Sequence, residues 1–266
     1  MQSLNKLKVY IKSNFRYWYH IRYSRFYLTY LRLKNRSLAI HEQKEYRFIS
    51  QLIPKDQLVY DIGANTGEYT NLYLKLSSKV IAIEPDPKNL QILKVRFGQN
   101  RKVTTLASAV SDVKGVSELY INEDGSCFNT MSEKWKDSLL DPSSNRWHAK
   151  YDFSKSYQIQ TITLNEVITQ YGLPFFIKVD VEGYEYKVIS TLTKKVALIN
   201  FEANLPEFLE ETILIVDHLN KIYTNYKFNF CEDYTFHFGE WKNYTEFKKF
   251  VTEANHRYLD IWVQAF

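Results

Sequence analysis

The chain has 266 residues, 24% of them charged, which suffices for one large α/β domain or two small ones. Its two cysteines, Cys127 and Cys231, exclude a disulfide framework and point to a reducing compartment. The net charge of +5 is uneven: residues 1–41 hold no Asp or Glu, nine Lys/Arg lie at or before Arg36, and the remainder is mildly acidic. Such a body argues against phosphate tracking along a nucleic acid.

Residues 4–33 read as a basic, aromatic helical region, in which Leu4, Leu7, Ile11, Phe15, Trp18, Arg22 and Phe26 step at three or four. One reading packs it on its own domain with a solvated basic face. Another lays it on an anionic membrane or a lipid-linked substrate, and a nucleic-acid surface or a transit peptide are further alternatives. The expected organisation is a basic aromatic helical extension over 1–40 and one domain over 41–266. No stretch reaches the roughly 18 uncharged apolar residues of a membrane span. No signal peptide is visible, because Lys and Arg interrupt the early apolar residues. The expected location is cytoplasmic, with peripheral contact at a membrane surface through this helix.

From residue 41 the pattern changes. "HEQKEYRFISQLI" predicts a helix with Tyr46, Ile49, Leu52 and Ile53 inward, stopped by Pro54. Strand, helix, strand and helix follow in "QLVYDIG", "EYTNLYLKLS", "KVIAIEPD" and "PKNLQILKVRF", the last with Pro87 in its first turn. "KVTTLASAVS" reads as one strand region, and "DVKG" as a turn into "VSELYI". The polar stretch 122–156 reads as a long loop, within which 122–150 is a candidate lid or acceptor-recognition element, with Asn129, Arg146, Trp147 and His148 able to face a sugar; the alternative is a disordered surface loop. Alternation resumes with "LNEVITQY", "FFIKVDVEG", "YEYKVISTL" and "VALINFEAN", then a long helix from Pro206 and a strand-like close. Apolar strands such as "VIAI" and "FFIKV" suit a doubly wound, mostly parallel sheet with helices on both faces.

"VYDIGANTGEYT" (59–70) follows the first strand and opens a helix, so Gly63 and Gly67 permit a tight turn and close approach of a ligand. The helix N-terminus behind them offers unpaired N–H groups. The spacing is not the dinucleotide fingerprint, and Asp61 before the first glycine repels a pyrophosphate but attracts an ammonium or sulfonium. Glu84, at the tip of the next strand and 23 positions after Asp61, is placed to accept from two ribose hydroxyls. A ligand with ribose, positive charge and no phosphate fits S-adenosyl-L-methionine better than NAD.

"VYDIGANTGEYT", "VIAIEPDPKNL", "ASAVSDVKG", "TITLNEVI" and "IKVDVEGYEYKVI" occur in the order and spacing of the FkbM-type methyltransferases, which the chain resembles over about residues 45–204. The N-terminal helix and residues 205–266 carry no matching motif. The resemblance implies a Rossmann-like class I methyltransferase fold, S-adenosyl-L-methionine as donor, and methylation of a hydroxyl, often of a glycan sugar or a secondary metabolite. Cofactor contacts then fall on Asp61, Gly63, Ala64, Asn65, Gly67 and Glu84. By that fold's logic Asp112 accepts from the adenine amino group; the alternative is that it only starts the hairpin turn.

In "FFIKVDVEGYEY" (175–186), Lys178, Asp180 and Glu182 share one strand face, and "NFEAN" brings Glu202 and Asn204 to the same rim. These four charged residues, Lys178, Asp180, Glu182 and Glu202, are the catalytic candidates. Asp180 or Glu182 positions the acceptor and takes its proton. Alternatively Asp180 contacts the cofactor, or Asp180, Glu182 and Glu202 hold a divalent metal, or the acids cap the next helix. Glu185 reads as first-turn charge on that helix. The leading expectation is an S-adenosylmethionine-dependent O-methyltransferase with a sugar or glycan acceptor and no nucleic-acid partner. The rivals are an RNA ribose methyltransferase, against which Glu202 stands where a lysine is needed, and a membrane-associated module without activity.

Overall fold

A computed structural model describes residues 25–76, 78–144 and 149–266. Helices α1 (Arg25–Lys34) and α2 (Arg36–Leu52) come first. Then β1 (Leu58–Ile62), α3 (Glu68–Lys75), β2 (Lys79–Ile83), α4 (Pro87–Phe97) and β3 (Val103–Leu106) alternate as the periodicity predicts. Strands β4 (Ala109–Ser111) and β5 (Gly115–Ile121), helix α5 (Glu133–Leu140) and strand β6 (Lys155–Thr163) follow. Alternation resumes with α6 (Leu164–Tyr171), β7 (Phe176–Val179), α7 (Glu185–Ile189), β8 (Leu198–Asn204) and α8 (Leu209–Ile222). The close is β9 (Tyr226–Glu232), β10 (Thr235–Phe236), α9 (Tyr244–Glu253) and β11 (Tyr258–Ala265).

Eight strands form one sheet in the order β10-β9-β11-β8-β7-β1-β2-β3. Strands β8, β7, β1, β2 and β3 pair in parallel, while β11 runs antiparallel between β8 and β9. The expected doubly wound, mostly parallel Rossmann-like architecture is therefore present. The strand order reverses between β1 and β7, which opens the ligand-binding crevice at their carboxyl ends. A second sheet, β4-β6-β5, stands beside it.

Alternation along β1 and β7 divides the core. Tyr60, Ile62, Ile177 and Val179 bury one face under α6, α7 and α8. Val59 and Phe176 bury the other with Phe48 and Ile49 of α2, Leu72 and Tyr73 of α3, and Trp262 of β11. The register sets Asp61 opposite Lys178, and Lys178 opposite Asn200. These polar side chains share the face of Val59 and Phe176, one pleat nearer the rim.

Helix α2 starts at Arg36 and runs unbroken across the expected boundary at residue 40. Its apolar stripe is part of the domain core. Residues 1–24, with most of the expected surface helix, lie outside the described residues, as do Arg146, Trp147 and His148.

Two expectations need correction, and one helix is added. "KVTTLASAVS" is two strands in different sheets, broken at Ala107–Ser108. The stretch 122–156 is not one loop: Ser132 caps α5 by accepting from the Trp135 N–H at 3.1 Å, and Trp135 and Leu139 are buried against Phe208 and Tyr151. The strand-like close at 226–238 and 258–266 is present as β9, β10 and β11; between them lies helix α9, started by the Asn243/Glu246 capping box and held by buried Phe247 and Val251.

Candidate active site

The loop after β1 is shaped by its protein neighbours. Gly63 has φ +76°, and a Cβ there would lie 1.7 Å from the Asp180 carbonyl oxygen. The glycine thus brings β1 against the end of β7. Gly67 (φ +83°) faces Phe97 and Leu93 of α4, where a Cβ would come within 2.5 and 2.7 Å. Packing within the fold therefore requires both glycines, and Gly63 in addition lines the cavity at the strand tips. Ala64 likewise packs with Ala82, Leu93 and Phe97.

A cavity of about 680 Å³ opens over the tips of β1, β2 and β7. Gly63, Asn65, Glu84, Asp180 and Glu182 line it, as the sequence leads one to expect. Glu84 Oε2 accepts from the Asn65 N–H at 2.8 Å and Oε1 from the Asp86 N–H at 2.9 Å. Burial raises the Glu84 carboxyl to about 7, against the pull of those two backbone bonds. Beside it Asn89, 2% exposed, keeps its Oδ1 without a hydrogen-bond partner. Apolar walls come from Ile83, Val110, Leu119 and Met131.

The far wall is the segment 122–132, held down by a side chain the sequence reading missed. Asp86 caps α4 through Oδ1. Its Oδ2 accepts from the Gly125 N–H (3.1 Å) and from Asn129 Nδ2 (2.7 Å). Asn129 also donates to the Glu123 carbonyl and accepts from the Asn122 and Glu123 N–H groups. Its amide is fully used, so it is the keystone of this wall rather than a free sugar contact. Thr130 Oγ1 donates to the Glu182 carbonyl (2.7 Å) and joins the wall to the acidic loop.

That loop is held from below by Glu185. It is buried, and its Oε1 accepts from the Val181 and Gly183 N–H groups at 3.1 and 3.3 Å. Burial raises its carboxyl to about 7. Glu185 stands in the first turn of α7 as expected, and it is in addition a buried clasp on the loop that contains the left-handed turn at Glu182 (φ +54°). Burial, with the Asp180, Glu202 and Glu185 carboxylates nearby, pushes Glu182 well above the ordinary range.

Lys178 is 4% exposed and donates to Asp180 Oδ2 at 2.6 Å. Its Nζ lies 4.5 Å from the Tyr69 ring centroid. Burial alone would lower this ammonium, but Asp180, Asp61 and Glu202 outweigh it and hold it protonated. Asp61 is fully buried beneath the loop. Its Oδ2 accepts from Thr70 Oγ1 at 2.5 Å and its Oδ1 has no partner. It does not line the large cavity, so its place is at the root of the site.

On the other side of Lys178 lies a second cavity, of about 430 Å³. Its polar lining is Lys178, Asn200, Glu202, Asp260 and Glu45, among the rings of Tyr69, Tyr73, Tyr234, Tyr258 and Trp262. Glu202 and Asp260 are cross-strand partners on β8 and β11. Burial raises all three carboxyls, Glu45 despite His41 and Lys75, Asp260 despite bonds from Asn200 and Trp262. Tyr73 Oη, fully buried, has no hydrogen-bond partner. Glu45, Tyr69, Tyr258 and Asp260 escaped the sequence reading, because only the folded sheet and α2 bring them together.

Asp112 does not reach the large cavity. Lys187 Nζ donates to its Oδ2 at 2.7 Å and Ser111 Oγ to its Oδ1 at 3.1 Å, at the turn between β4 and β5. The hairpin turn expected here is corrected: β6 lies between β4 and β5, so Asp112 starts a connection between strands that do not pair. Among the described residues, no group of three or more His, Cys, Asp or Glu is disposed to hold a metal ion. The positive charge amid Asp180, Asp61 and Glu202 is Lys178 itself. Among the described residues, no helix is long and apolar enough to cross a membrane.

The family model described as "Methyltransferase FkbM domain" matches residues 61–258. No curated protein sequence matches the chain. Among solved structures, the chain is similar to a precorrin-6y C5,15-methyltransferase from Geobacter metallireducens, with 12% identity over 86% of each chain and a TM-score of 0.43. It is also similar to a TehB-like SAM-dependent methyltransferase from Corynebacterium glutamicum, with 9% identity over 84% of this chain and 88% of that one, and a TM-score of 0.40. Nothing about the acceptor follows from either.

Proposed function

The chain belongs to the FkbM methyltransferase family, and on that footing we propose that it transfers a methyl group from S-adenosyl-L-methionine to a sugar hydroxyl. The observation that carries this reading is Glu84, exposed to a large cavity whose opposite rim holds Asp180 and Glu182. A carboxylate with both oxygens anchored by backbone N–H groups keeps lone pairs for two ribose hydroxyls. The unpartnered Asn89 Oδ1 supplies a further acceptor, and Ile83, Val110, Leu119 and Met131 suit a purine face. The residues present therefore fit the cofactor.

When bound, the cofactor supplies an electrophilic methyl on a sulfonium: the acceptor oxygen bonds to that carbon as the carbon–sulfur bond breaks and the sulfur leaves as a neutral thioether. Asp180, fixed by Lys178, orients the acceptor hydroxyl toward the cofactor cavity. Glu182, which lines the same cavity, takes the hydroxyl proton in its ionised form, which burial disfavours and rising pH restores. Lys178 offsets the charge of the surrounding acids, with Asp61 beneath it. Glu202 stands on the acceptor side. No metal enters this scheme.

Separate Asp180→Asn and Glu182→Gln variants test it, with S-adenosylhomocysteine affinity measured by calorimetry and turnover measured on a sugar pool. Glu182→Gln is expected to lower kcat by about 10²-fold or more and leave cofactor affinity nearly unchanged. Asp180→Asn is expected to raise KM as well. Wild-type turnover in both variants would remove these roles. Absence of cofactor binding by the wild type would remove the whole reading.

The acid-free segment 1–40 supports a second, separable proposal, that the enzyme sits peripherally on an anionic membrane. Co-sedimentation of the full chain with anionic but not neutral vesicles is the expected result. Equal recovery with both would refute it.

A further inference from the structure

We infer that the second cavity is the acceptor pocket and that it selects a hydroxylated acceptor bearing a protonated amine, an amino sugar. This inference rests on the methyl-transfer reading and narrows its substrate.

The two cavities share one wall. Asp180 lines the larger, Lys178 lines the smaller, and 2.6 Å separates the Asp180 carboxylate from the Lys178 ammonium. A molecule in the smaller cavity thus has its nearest edge at the group proposed to orient the reacting hydroxyl.

The lining is rich in acids. Glu45, Glu202 and Asp260 contribute three carboxyl groups, whose charged forms burial disfavours, and Lys178 is the single Lys or Arg among them. That ammonium is already committed to Asp180 and to the face of Tyr69. Asp260 accepts from Trp262 Nε1 at 3.0 Å and from Asn200 Nδ2, both neutral donors. An ammonium from outside would favour the ionised forms of these acids and gain charge-assisted bonds from them, among the aromatic rings of Tyr69, Tyr234 and Tyr258. An anionic sugar would meet repulsion. A neutral one would gain no such bonds.

Independently of the acids, Tyr73 points to a polar ligand. Its hydroxyl is fully buried and has no hydrogen-bond partner, and the residue is part of the cavity lining. Buried hydroxyls are nearly always paired in native proteins. A ligand hydroxyl satisfies it, and aromatic walls pack against the C–H faces of a sugar ring. The requirements combine in one small molecule: a ring, several hydroxyls and one ammonium.

The test uses the full chain saturated with S-adenosylhomocysteine, with glucosamine and N-acetylglucosamine as probes at neutral pH. The pair shares its hydroxyls and differs in charge. Glucosamine is expected to bind about tenfold tighter or more, from charge-assisted bonds the acetamide lacks. Glu45→Gln and Glu202→Gln are each expected to reduce that preference about threefold or more, while S-adenosylhomocysteine affinity holds. Equal binding, tighter binding of the N-acetyl sugar, or no binding of glucosamine to a chain that does bind S-adenosylhomocysteine would overturn the inference. A chain that fails to bind S-adenosylhomocysteine overturns the methyl-transfer reading first, and this inference with it.

Discussion

Glu84 makes cofactor affinity depend on pH in a direction the structure dictates. Its carboxyl is raised from the ordinary 4.5 to about 7 by burial. In the empty site, Glu84 is therefore half protonated near neutrality. Ribose hydroxyls donate to the carboxylate and stabilise its charged form, so binding expels the proton and tightens as pH rises. Between pH 8 and pH 6 the ionised fraction falls from about ten in eleven to about one in eleven, which weakens binding about tenfold. Calorimetric titration of S-adenosylhomocysteine in buffers of different ionisation enthalpy reads both effects. Release of nearly one proton is expected at pH 6 and almost none above pH 8. Glu185 titrates in the same range, and Glu182 and Glu202 are raised as well. The Glu84→Gln variant isolates the group, because its affinity is expected to be weak and nearly flat from pH 6 to 8. A flat wild-type profile, or an unchanged slope in Glu84→Gln, would refute the reasoning.

Other predictions concern the frame around the site. Gly63→Ala places a methyl within 1.7 Å of a carbonyl oxygen at φ +76°, so a loss of at least about 2 kcal/mol in chemical denaturation is expected. Lys178→Met leaves buried carboxylates unpaired and is expected to cost about 3–5 kcal/mol at pH 8. Asp61 and Glu202, which burial already raises, lose the attraction of the ammonium, so the deficit should shrink as pH falls and they protonate. Asn129→Ala removes the keystone of the 122–132 wall, so faster limited proteolysis there and weaker cofactor binding are expected, with unchanged cleavage counting against that role. Trp135→Ala is expected to destabilise by about 3–5 kcal/mol, read from thermal melts, because the ring is 2% exposed and packs on Phe208.

The parts legible in the sequence were those with local causes. Apolar runs and caps such as Asp86–Pro87 marked strands and helices, and strand alternation set Lys178 on the face of Phe176; the expected continuation of that face through Asp180 and Glu182 is corrected, because β7 ends at Val179 and both acids lie in the loop beyond it. Glu84 was found because strand tips converge on the crevice wherever the chain alternates strand and helix. Roles set by distant partners were not legible. Asp112 looked available until Lys187, 75 positions away, took its carboxylate. Asn129 and Asp86 are 43 positions apart, and nothing local announces their bond. Glu185 follows the motif closely, yet its clasp depends on the left-handed turn at Glu182. The helix from Tyr244 did carry a local signal, the N-x-x-E capping box, which the sequence reading missed between the two strand-like segments.

A crystal structure with S-adenosylhomocysteine bound tests the central claim most directly. The account predicts the ribose hydroxyls on Glu84, the purine between Ile83, Val110 and Leu119, and the thioether sulfur facing Asp180 beside Lys178. A ligand seated elsewhere, or one in this cavity with Glu84 out of hydrogen-bond reach, would contradict it.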